Sequence, residues 1–195
     1  MSVFLDGAFA FGIDAYSLYA LKLSENDEID EATLAHIKDT VLFEDAKNYA
    51  ARLLSTRSYT ERDMQKKLLF RTGSETVTEK TVVFLKEYKL IDDADFARRY
   101  AADCLNIKKY GRQKIKYKLI EKGIAKELAE EIVSADMFFE TESENLAVLM
   151  EKRLRGDFEK TNVMKAKRYF AARGYSFDEI DSVVRKLKAQ SEEWS

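Results

Sequence analysis

The chain has no proline and only seven glycines among its 195 residues. Proline removes a backbone donor and clashes with the preceding turn, so the helices of this chain can run without internal breaks. Glycine is the usual residue of tight turns, and its scarcity predicts few loops and little sheet. Because 46% of the residues are hydrophobic, the chain can form ordered cores. We expect a mainly α-helical protein.

Cysteine and histidine are almost absent, with one residue of each, Cys104 and His36. A single cysteine cannot form an internal disulfide, in agreement with a reducing compartment. Two such residues are too few for a zinc cluster, and their separation in the chain argues against a nucleophile and its base. A glycine-rich phosphate-binding motif is also missing. The sequence therefore predicts no enzyme, no metal site and no cofactor.

Long apolar runs are missing too. No stretch approaches the roughly 20 residues that a helix needs to cross a bilayer. The segment Met1–Asp6 lacks the basic region and the length of a signal peptide. We expect a cytoplasmic protein with no membrane partner.

The formal net charge of −2 conceals a strong segregation of charge along the chain. Residues 1–45 carry 2 basic and 10 acidic side chains, whereas residues 46–126 carry 20 basic and 10 acidic ones. The next segment, 127–151, has 8 acidic side chains and no basic one, and 152–195 is basic again. A basic block of this length favours a polyanion or an acidic protein surface as partner.

The sequence also contains an internal repeat with a period of about 51 residues. In two copies, Ala46, Tyr49, Ala50, Leu54 and Tyr59 recur as Ala97, Tyr100, Ala101, Leu105 and Tyr110. In three copies, Leu69, Gly73 and Val83 recur as Leu119, Gly123 and Val133, and then as Phe170, Gly174 and Val184. The third copy lacks the tyrosine pair. Such a period is typical of stacked units that present an extended surface, which favours a binding protein over an enzyme.

Local signals predict how each copy folds. Apolar residues at helical spacing predict three helices per copy, and Thr60 and Gly73 predict the start and end of one of them. The segments Thr141–Glu144 and Ser176–Glu179 have the capping-box pattern of helix starts. Before the first copy, Asp6 and Gly7 predict a tight turn within a β-hairpin over residues 3–11, of which Phe4, Phe9 or Phe11 should pack on a helix.

We therefore predict three tandem three-helix repeats in an elongated array, preceded by a small N-terminal β-hairpin and short-helix module. The expected boundaries are 1–42 for this module, 43–91 for repeat 1, 92–137 for repeat 2 and 138–195 for repeat 3. Cys104 takes the place of Leu53 in this register, so we expect a buried thiol. The repeated tyrosines could stack on exposed bases, but their constant register favours helix packing, and His36 is expected at the surface.

The strongest functional signal is the segment Lys108–Lys122, which holds seven basic residues and one acid. Ile115 and Leu119 mark its buried side, and Lys114, Lys118 and Lys122 are expected to form an exposed row. Like charges in a row repel each other, which favours a surface for phosphates. The candidate binding residues are Arg57, Arg62, Lys66 and Lys67 in repeat 1 and Lys108, Lys109, Arg112, Lys114, Lys116, Lys118 and Lys122 in repeat 2.

Several segments resemble the RecX regulatory proteins of bacteria, in the family's order and spacing. They are Val3–Gly12, Ala46–Ser55, Leu90–Tyr100, Tyr110-Gly111 and Lys118–Ile124. The resemblance implies a non-enzymatic modulator of the RecA recombinase, active in recombination, DNA repair and the SOS response. Such a protein binds in the groove of the RecA–single-stranded DNA filament and inhibits its ATPase, strand-exchange and coprotease activities. Family members can also contact DNA, but the slightly acidic net charge of this chain leads us to expect only weak binding to single- or double-stranded DNA. We also expect a monomer.

Two other functions fit the residues. In a sequence-reading DNA-binding regulator, the helix with Gln113, Lys114 and Lys118 would enter a major groove. Its many lysines are unlike the mixed side chains that usually read base edges. The other possibility is a helical-repeat scaffold that binds only proteins.

Overall fold

The computed structural model describes residues 1–193, apart from the side chains at positions 38, 137 and 193. Over this range the chain forms one small antiparallel sheet and is otherwise mainly helical, as predicted. The elements are β1 Ser2–Leu5, β2 Ala8–Gly12, α1 Ala15–Ala20, α2 Glu31–His36, a π-helical segment Ile37–Leu42, α3 Phe43–Leu54, α4 Glu61–Thr72, α5 Glu75–Glu87, α6 Asp93–Asn106, α7 Arg112–Glu121, α8 Lys126–Val133, α9 Asp136–Leu154, α10 Lys160–Ala172 and α11 Phe177–Glu193. They divide into two compact units, of which the first ends at Asp93 and the second begins at Ala94.

The N-terminal hairpin forms where the sequence predicts it. Asp6 and Gly7 both have positive φ, of 50° and 79°, as the tight turn between β1 and β2 requires. Of its three phenylalanines, only Phe11 is buried in the core of the first unit. Phe4 and Phe9 face solvent and contact each other edge to face, with ring centroids 6.0 Å apart.

The hairpin and the first three-helix repeat share one apolar core. Ala46 and Ala50 of α3 pack with Met64 and Leu68 of α4 in this core. Leu68 is buried and Leu69 is exposed, so Leu68 is the structural counterpart of Leu119. The offset between the first two copies is therefore 51 residues as far as Leu68. It is 50 residues at the glycine that follows the helix.

A buried carboxylate joins three parts of the first unit. Asp45 of α3 accepts hydrogen bonds from Arg71 Nε and Nη2, at 3.0 and 3.1 Å, and from the backbone amide of Asp14, at 3.2 Å. Burial raises the pKa of Asp45, whereas the Arg71 guanidinium lowers it. The contact fixes α4 and the chain segment after the hairpin to α3.

The second unit has two apolar cores, one for each repeat. Ala97, Ala101, Cys104, Ile115 and Leu119 belong to the first of them, and Leu146, Met150, Leu154, Phe170 and Ile180 belong to the second. Cys104 is fully buried, which confirms the expectation from the repeat register.

The two repeats of the second unit meet through a close backbone contact at Gly111 and Gly174. The Gly111 amide donates to the carbonyl of Arg173 at 2.9 Å, and the Gln113 amide donates to the carbonyl of Gly174 at 3.2 Å. A Cβ atom on Gly111 would lie 2.3 Å from the carbonyl carbon of Gly174. Only glycine allows this approach.

Beside that contact, a buried carboxylate caps the helix of the neighbouring repeat. Glu142, which is 1% exposed, accepts a hydrogen bond from the backbone amide of Arg112, the first residue of α7, at 2.8 Å. The Arg112 guanidinium lies 3.6 Å from the other oxygen of Glu142 and donates to Glu179 at 2.8 Å. The expected helix start at Thr141–Glu144 is thus wrong, because α9 begins at Asp136 and Glu142 points into the repeat junction.

The first unit uses the same arrangement. Asp93 accepts a hydrogen bond from the backbone amide of Glu61, the first residue of α4, at 2.8 Å. Burial raises the pKa of Asp93, as burial also raises that of Glu142, to about 7. In both units, therefore, a carboxylate from the chain after a repeat satisfies an unpaired amide at the start of the repeat's second helix.

The burial of Cys104 predicts that its thiol is inert in the folded protein. The side chain is inaccessible, and burial raises the pKa of the thiol, which reduces the reactive thiolate. A thiol reagent should modify the protein rapidly in denaturant and slowly without it. Fast, stoichiometric labelling of the native protein would contradict the structure. Cys104→Ala removes the single thiol and should lower the free energy of unfolding, measured by urea denaturation, by about 1–2 kcal/mol, because it leaves a small cavity.

The raised pKa of Glu142 predicts that stability depends on pH. The folded-state value of about 7 lies above the usual 4.5, so between these values the folded protein binds the proton more tightly than the unfolded chain. The contribution of this group is fully present below about pH 4.5 and is lost as the pH rises through about 7. In the wild type, this group should lower the free energy of unfolding by up to about 3 kcal/mol as the pH rises through about 7. Glu142→Gln keeps an acceptor for the Arg112 amide but does not titrate, so the variant should not show this decrease.

Urea unfolding at several pH values measures this effect. Glu140→Gln is the matched control, because Glu140 lies on the same helix and is exposed. The control should keep the wild-type pH dependence. Equal slopes for the two variants would show that Glu142 is not its source.

The position of Arg112 predicts a structural role for this side chain. Arg112→Ala should lower the free energy of unfolding by about 2–3 kcal/mol near pH 8, because it leaves the ionised Glu142 buried without its cation. Arg62→Ala, at an exposed position of α4, should change stability by less than about 0.5 kcal/mol. Chemical denaturation measures both, and similar values for the two variants would argue against the structural role.

Candidate partner and nucleic-acid interface

The outward face of α4 carries two basic residues and an exposed aromatic ring. Met64 and Leu68 face the core, so Arg62, Lys66 and Phe70, spaced by four residues, lie on the opposite side. All three are exposed, and Phe70 is 87% accessible. This face combines positive charge with an uncovered apolar side chain.

Two other candidates of repeat 1 lie beside this face. Arg57 is exposed and its guanidinium lies 4.4 Å from the centroid of the buried Tyr59 ring. Lys67 is half-buried. Arg57 thus adds a third exposed cation at the entry to α4.

The prediction that the lysines of α7 form an exposed row is wrong. Lys114, Lys118 and Lys122 are each half-buried, and the outward positions are Gln113, Tyr117 and Glu121. A helix turns by about 100° per residue, so the position before a buried residue lies at the edge of the buried stripe. Lys114 and Lys118 directly precede the buried Ile115 and Leu119. The accessible face of α7 is therefore mixed, with an amide, a tyrosine and an acid.

The lysines of α7 also have partners within the protein. Lys114 Nζ donates to the carbonyl of Ala172 at 3.1 Å and lies 4.7 Å from the centroid of the Tyr110 ring. Lys116 forms an ion pair with Glu130, and Lys118 Nζ lies 3.8 Å from Glu121. These contacts neutralise part of the positive charge that the sequence suggests for this helix.

The remaining candidates of repeat 2 lie close to the junction with the third repeat. Arg112 is bound to two carboxylates, as described above. Lys108 is exposed and Lys109 is half-buried, and their backbone carbonyls accept hydrogen bonds from the Arg173 guanidinium. The hydroxyl of Tyr175 donates to the Lys109 carbonyl at 3.0 Å. The segment before α7 is thus held by its backbone, which leaves the Lys108 side chain accessible.

The repeated tyrosines pack within the repeats. Tyr59 is buried, and Tyr49, Tyr100 and Tyr110 are half-buried. The Tyr100 ring stacks on Phe96 at 5.8 Å, and burial raises the pKa of its hydroxyl to about 12. This arrangement supports the packing interpretation over stacking on bases.

Groups suited to catalysis are sparse. The described part of the chain has no cluster of three or more histidine, cysteine, aspartate or glutamate side chains that could hold a metal ion. His36 is exposed, as expected, and Cys104 is buried. Within residues 1–193, none of the helices has the length and apolar character to cross a membrane.

The sequence reasoning missed one basic cluster, in the third repeat. Lys152, Arg153 and Arg155 are exposed around the buried Leu154 at the end of α9. Their signal in the sequence is a run of three basic residues around one apolar residue, directly after an acidic segment. The cluster lines a cavity with Tyr169 of α10.

Comparison with known proteins identifies relatives over nearly the full chain. A family model described as RecX, second three-helix domain, matches residues 92–132. Regulatory protein RecX of Clostridium botulinum (strain Alaska E43 / Type E3) is 30% identical over 192 residues, which cover 95% of this chain and 89% of that protein. Regulatory protein RecX of Caldanaerobacter subterraneus subsp. tengcongensis is 29% identical and covers 93% and 90%.

Solved structures show the same fold. The crystal structure of RecX from Lactobacillus salivarius superposes with a TM-score of 0.69 at 24% identity, over 76% of this chain and 97% of that one. Another crystal structure, of a regulatory protein RecX, gives a TM-score of 0.67 at 26% identity, over 93% and 91%. Sequence similarity over nearly the whole length and a shared fold lead to one conclusion: the chain belongs to the RecX family of regulatory proteins.

Proposed function

We propose that this protein is a non-catalytic regulator of a RecA-type recombinase. It binds in the groove of the filament that the recombinase forms on single-stranded DNA, and it inhibits the ATPase, strand-exchange and coprotease activities of that filament. Membership of a family whose members are named regulatory proteins supports the regulatory role. We further propose that it acts in the cytoplasm, where a regulator of a DNA-bound filament must reach the filament, and that it does so as a monomer.

The observation that carries the proposal is the outward face of α4. Arg62 and Lys66 project from the helix beside the exposed ring of Phe70, and Arg57 lies at its start. Cations of this kind attract a filament that contains DNA phosphates, and each neutralised phosphate releases a counterion. An exposed aromatic side chain within such a face adds apolar contact with protein, which DNA phosphates alone would not need.

Regulation by binding, without catalysis, fits the chemistry of the described residues. The one thiol is buried and its pKa is raised, and the buried carboxylates of Asp45 and Glu142 accept hydrogen bonds from backbone amides. Inhibition then follows from occupancy of the filament groove.

The α4 face predicts the effect of charge reversal. The double variant Arg62→Glu with Lys66→Glu should weaken inhibition of filament ATPase activity at least about tenfold, because two attractive contacts become repulsive. The slope of log affinity against log salt should become shallower by about 1.4, since it changes by roughly 0.7 per phosphate contact on single strands. ATPase assays on single-stranded DNA at several salt concentrations measure both effects.

The double variant Lys186→Glu with Lys188→Glu is the matched control. It makes the same change in charge at exposed positions of α11 and should inhibit like the wild type. Melting curves should show both variants folded, since exposed substitutions change stability by no more than about 0.5 kcal/mol each. Normal inhibition by the α4 variant would contradict the assigned surface. Sequence-specific binding to duplex DNA without recombinase would instead favour a DNA-reading regulator.

A further inference from the structure

The third repeat contains a cavity with a basic wall and an aromatic wall. Its volume is about 520 Å3, and it lies between the end of α9 and α10. The lining residues are Leu149, Lys152, Arg153, Arg155, Tyr169 and Phe170. It is open to solvent on one side, and its volume is within the range of roughly 300–1,000 Å3 that is usual for ligand-binding pockets.

The guanidinium of one lining side chain lies over the aromatic ring of another. The guanidinium carbon of Arg153 lies 4.0 Å from the centroid of the Tyr169 ring. Tyr169 in turn contacts Phe170 edge to face, with centroids 5.1 Å apart, which fixes the ring against the core. The outer surface of a guanidinium plane can itself stack on a nucleobase.

The cations of this cavity differ in their surroundings from the paired lysines of the second unit. Among the side chains that the structure describes, Lys152, Arg153 and Arg155 have no carboxylate within ion-pair distance, unlike Lys116 or Lys167. Arg155 has a left-handed backbone conformation, with φ of 51°, at the end of α9. Three such cations beside one cavity create a positive potential that attracts an anionic ligand.

At the cavity the third repeat keeps the repeat register but has different residues from the second repeat at three positions. The buried residues Leu154 and Phe170 correspond to Leu105 and Leu119. In this register Leu149, Arg153 and Tyr169 take the places of Tyr100, Cys104 and Lys118. In the second repeat Tyr100 is half-buried and contacts the buried Cys104. Leu149 has a smaller side chain than Tyr100, and Arg153 and Tyr169 line the cavity beside it.

From these observations we propose that the third repeat binds one nucleotide unit of single-stranded nucleic acid. The base stacks on the Arg153 guanidinium, as a continuation of the pair with Tyr169, and the adjacent phosphate binds Lys152 and Arg155. Stacked aromatic and arginine side chains beside a basic groove are the usual means of binding single strands without reading their sequence. An acidic peptide would also be attracted by the cations, but it would make no use of the guanidinium and ring that lie over each other. The inference goes beyond filament regulation and does not depend on it.

The test measures binding to the protein alone, without recombinase. Fluorescence anisotropy of a labelled oligothymidylate of about 12 residues gives the affinity of the full chain and its variants. Arg153→Ala should weaken binding about tenfold, the usual effect of losing one stacking contact. Tyr169→Leu should weaken it to a smaller extent, because the Tyr169 ring supports the guanidinium and does not itself contact the base. Arg153→Lys should weaken it as well, because lysine keeps the charge but loses the planar group.

Arg168→Ala is the matched control. Arg168 precedes Tyr169 on α10 and is exposed, but it does not line the cavity. Its loss removes the same charge and should weaken binding less than about threefold. Melting curves of all variants check that α9 and α10 remain folded, and Arg153→Lys keeps the test decisive if an alanine variant unfolds.

Competition identifies the ligand class. An unlabelled oligothymidylate should displace the probe, whereas inorganic polyphosphate and polyglutamate of similar length should compete much less well. The proposal would be overturned if the protein did not bind the oligonucleotide or if polyglutamate competed equally well. It would also be overturned if Arg168→Ala and Arg153→Ala had equal effects, or if Arg153→Lys bound as tightly as the wild type. A variant that loses oligonucleotide binding but still inhibits the filament separates this site from the α4 face.

Discussion

The organisation of the second unit depends on one buried carboxylate. Glu142 caps the first amide of α7 from a helix of the next repeat, and its charge is balanced by the guanidinium of the same residue, Arg112. A charge in an apolar interior is unfavourable unless it has both a donor and a counterion. The pair therefore favours one register between the repeats, the register in which Gly111 and Gly174 touch.

This constraint explains why basic residues close together in the sequence differ in role. Arg112 is bound at the junction, Lys114 reaches a carbonyl of α10, and Lys116 pairs with α8. The residues that hold α7 in place are thus the ones that net charge alone would assign to a ligand. On α4 the corresponding amide is capped by Asp93 without a guanidinium, and Arg62 and Lys66 remain at the surface.

The fold could be predicted from the sequence because its signals are local. The Asp6-Gly7 turn, the cap at Thr60 and the capping box at Ser176 and Glu179 each form as their residue types require. The sites could not be predicted in the same way. The pattern Thr141–Glu144 fits a helix start, but α9 extends back to Asp136 and the glutamate serves another helix. Likewise, helical spacing identifies Ile115 as buried. It does not tell whether a neighbouring lysine lies at the edge of the buried face of α7 or on the opposite, exposed face.

The third repeat shows how a repeat protein can acquire a different surface without losing its core. Leu146, Met150, Leu154 and Phe170 keep the buried positions, so the helices still pack. The changes at Leu149, Arg153 and Tyr169 occur at the edge of this core, where a tyrosine lies over the thiol of the preceding repeat. Apolar residues recur at the core positions of both repeats, whereas these three positions change in chemical character. Positions that border a buried stripe and change in residue type between repeats are therefore informative about binding in arrays of this kind.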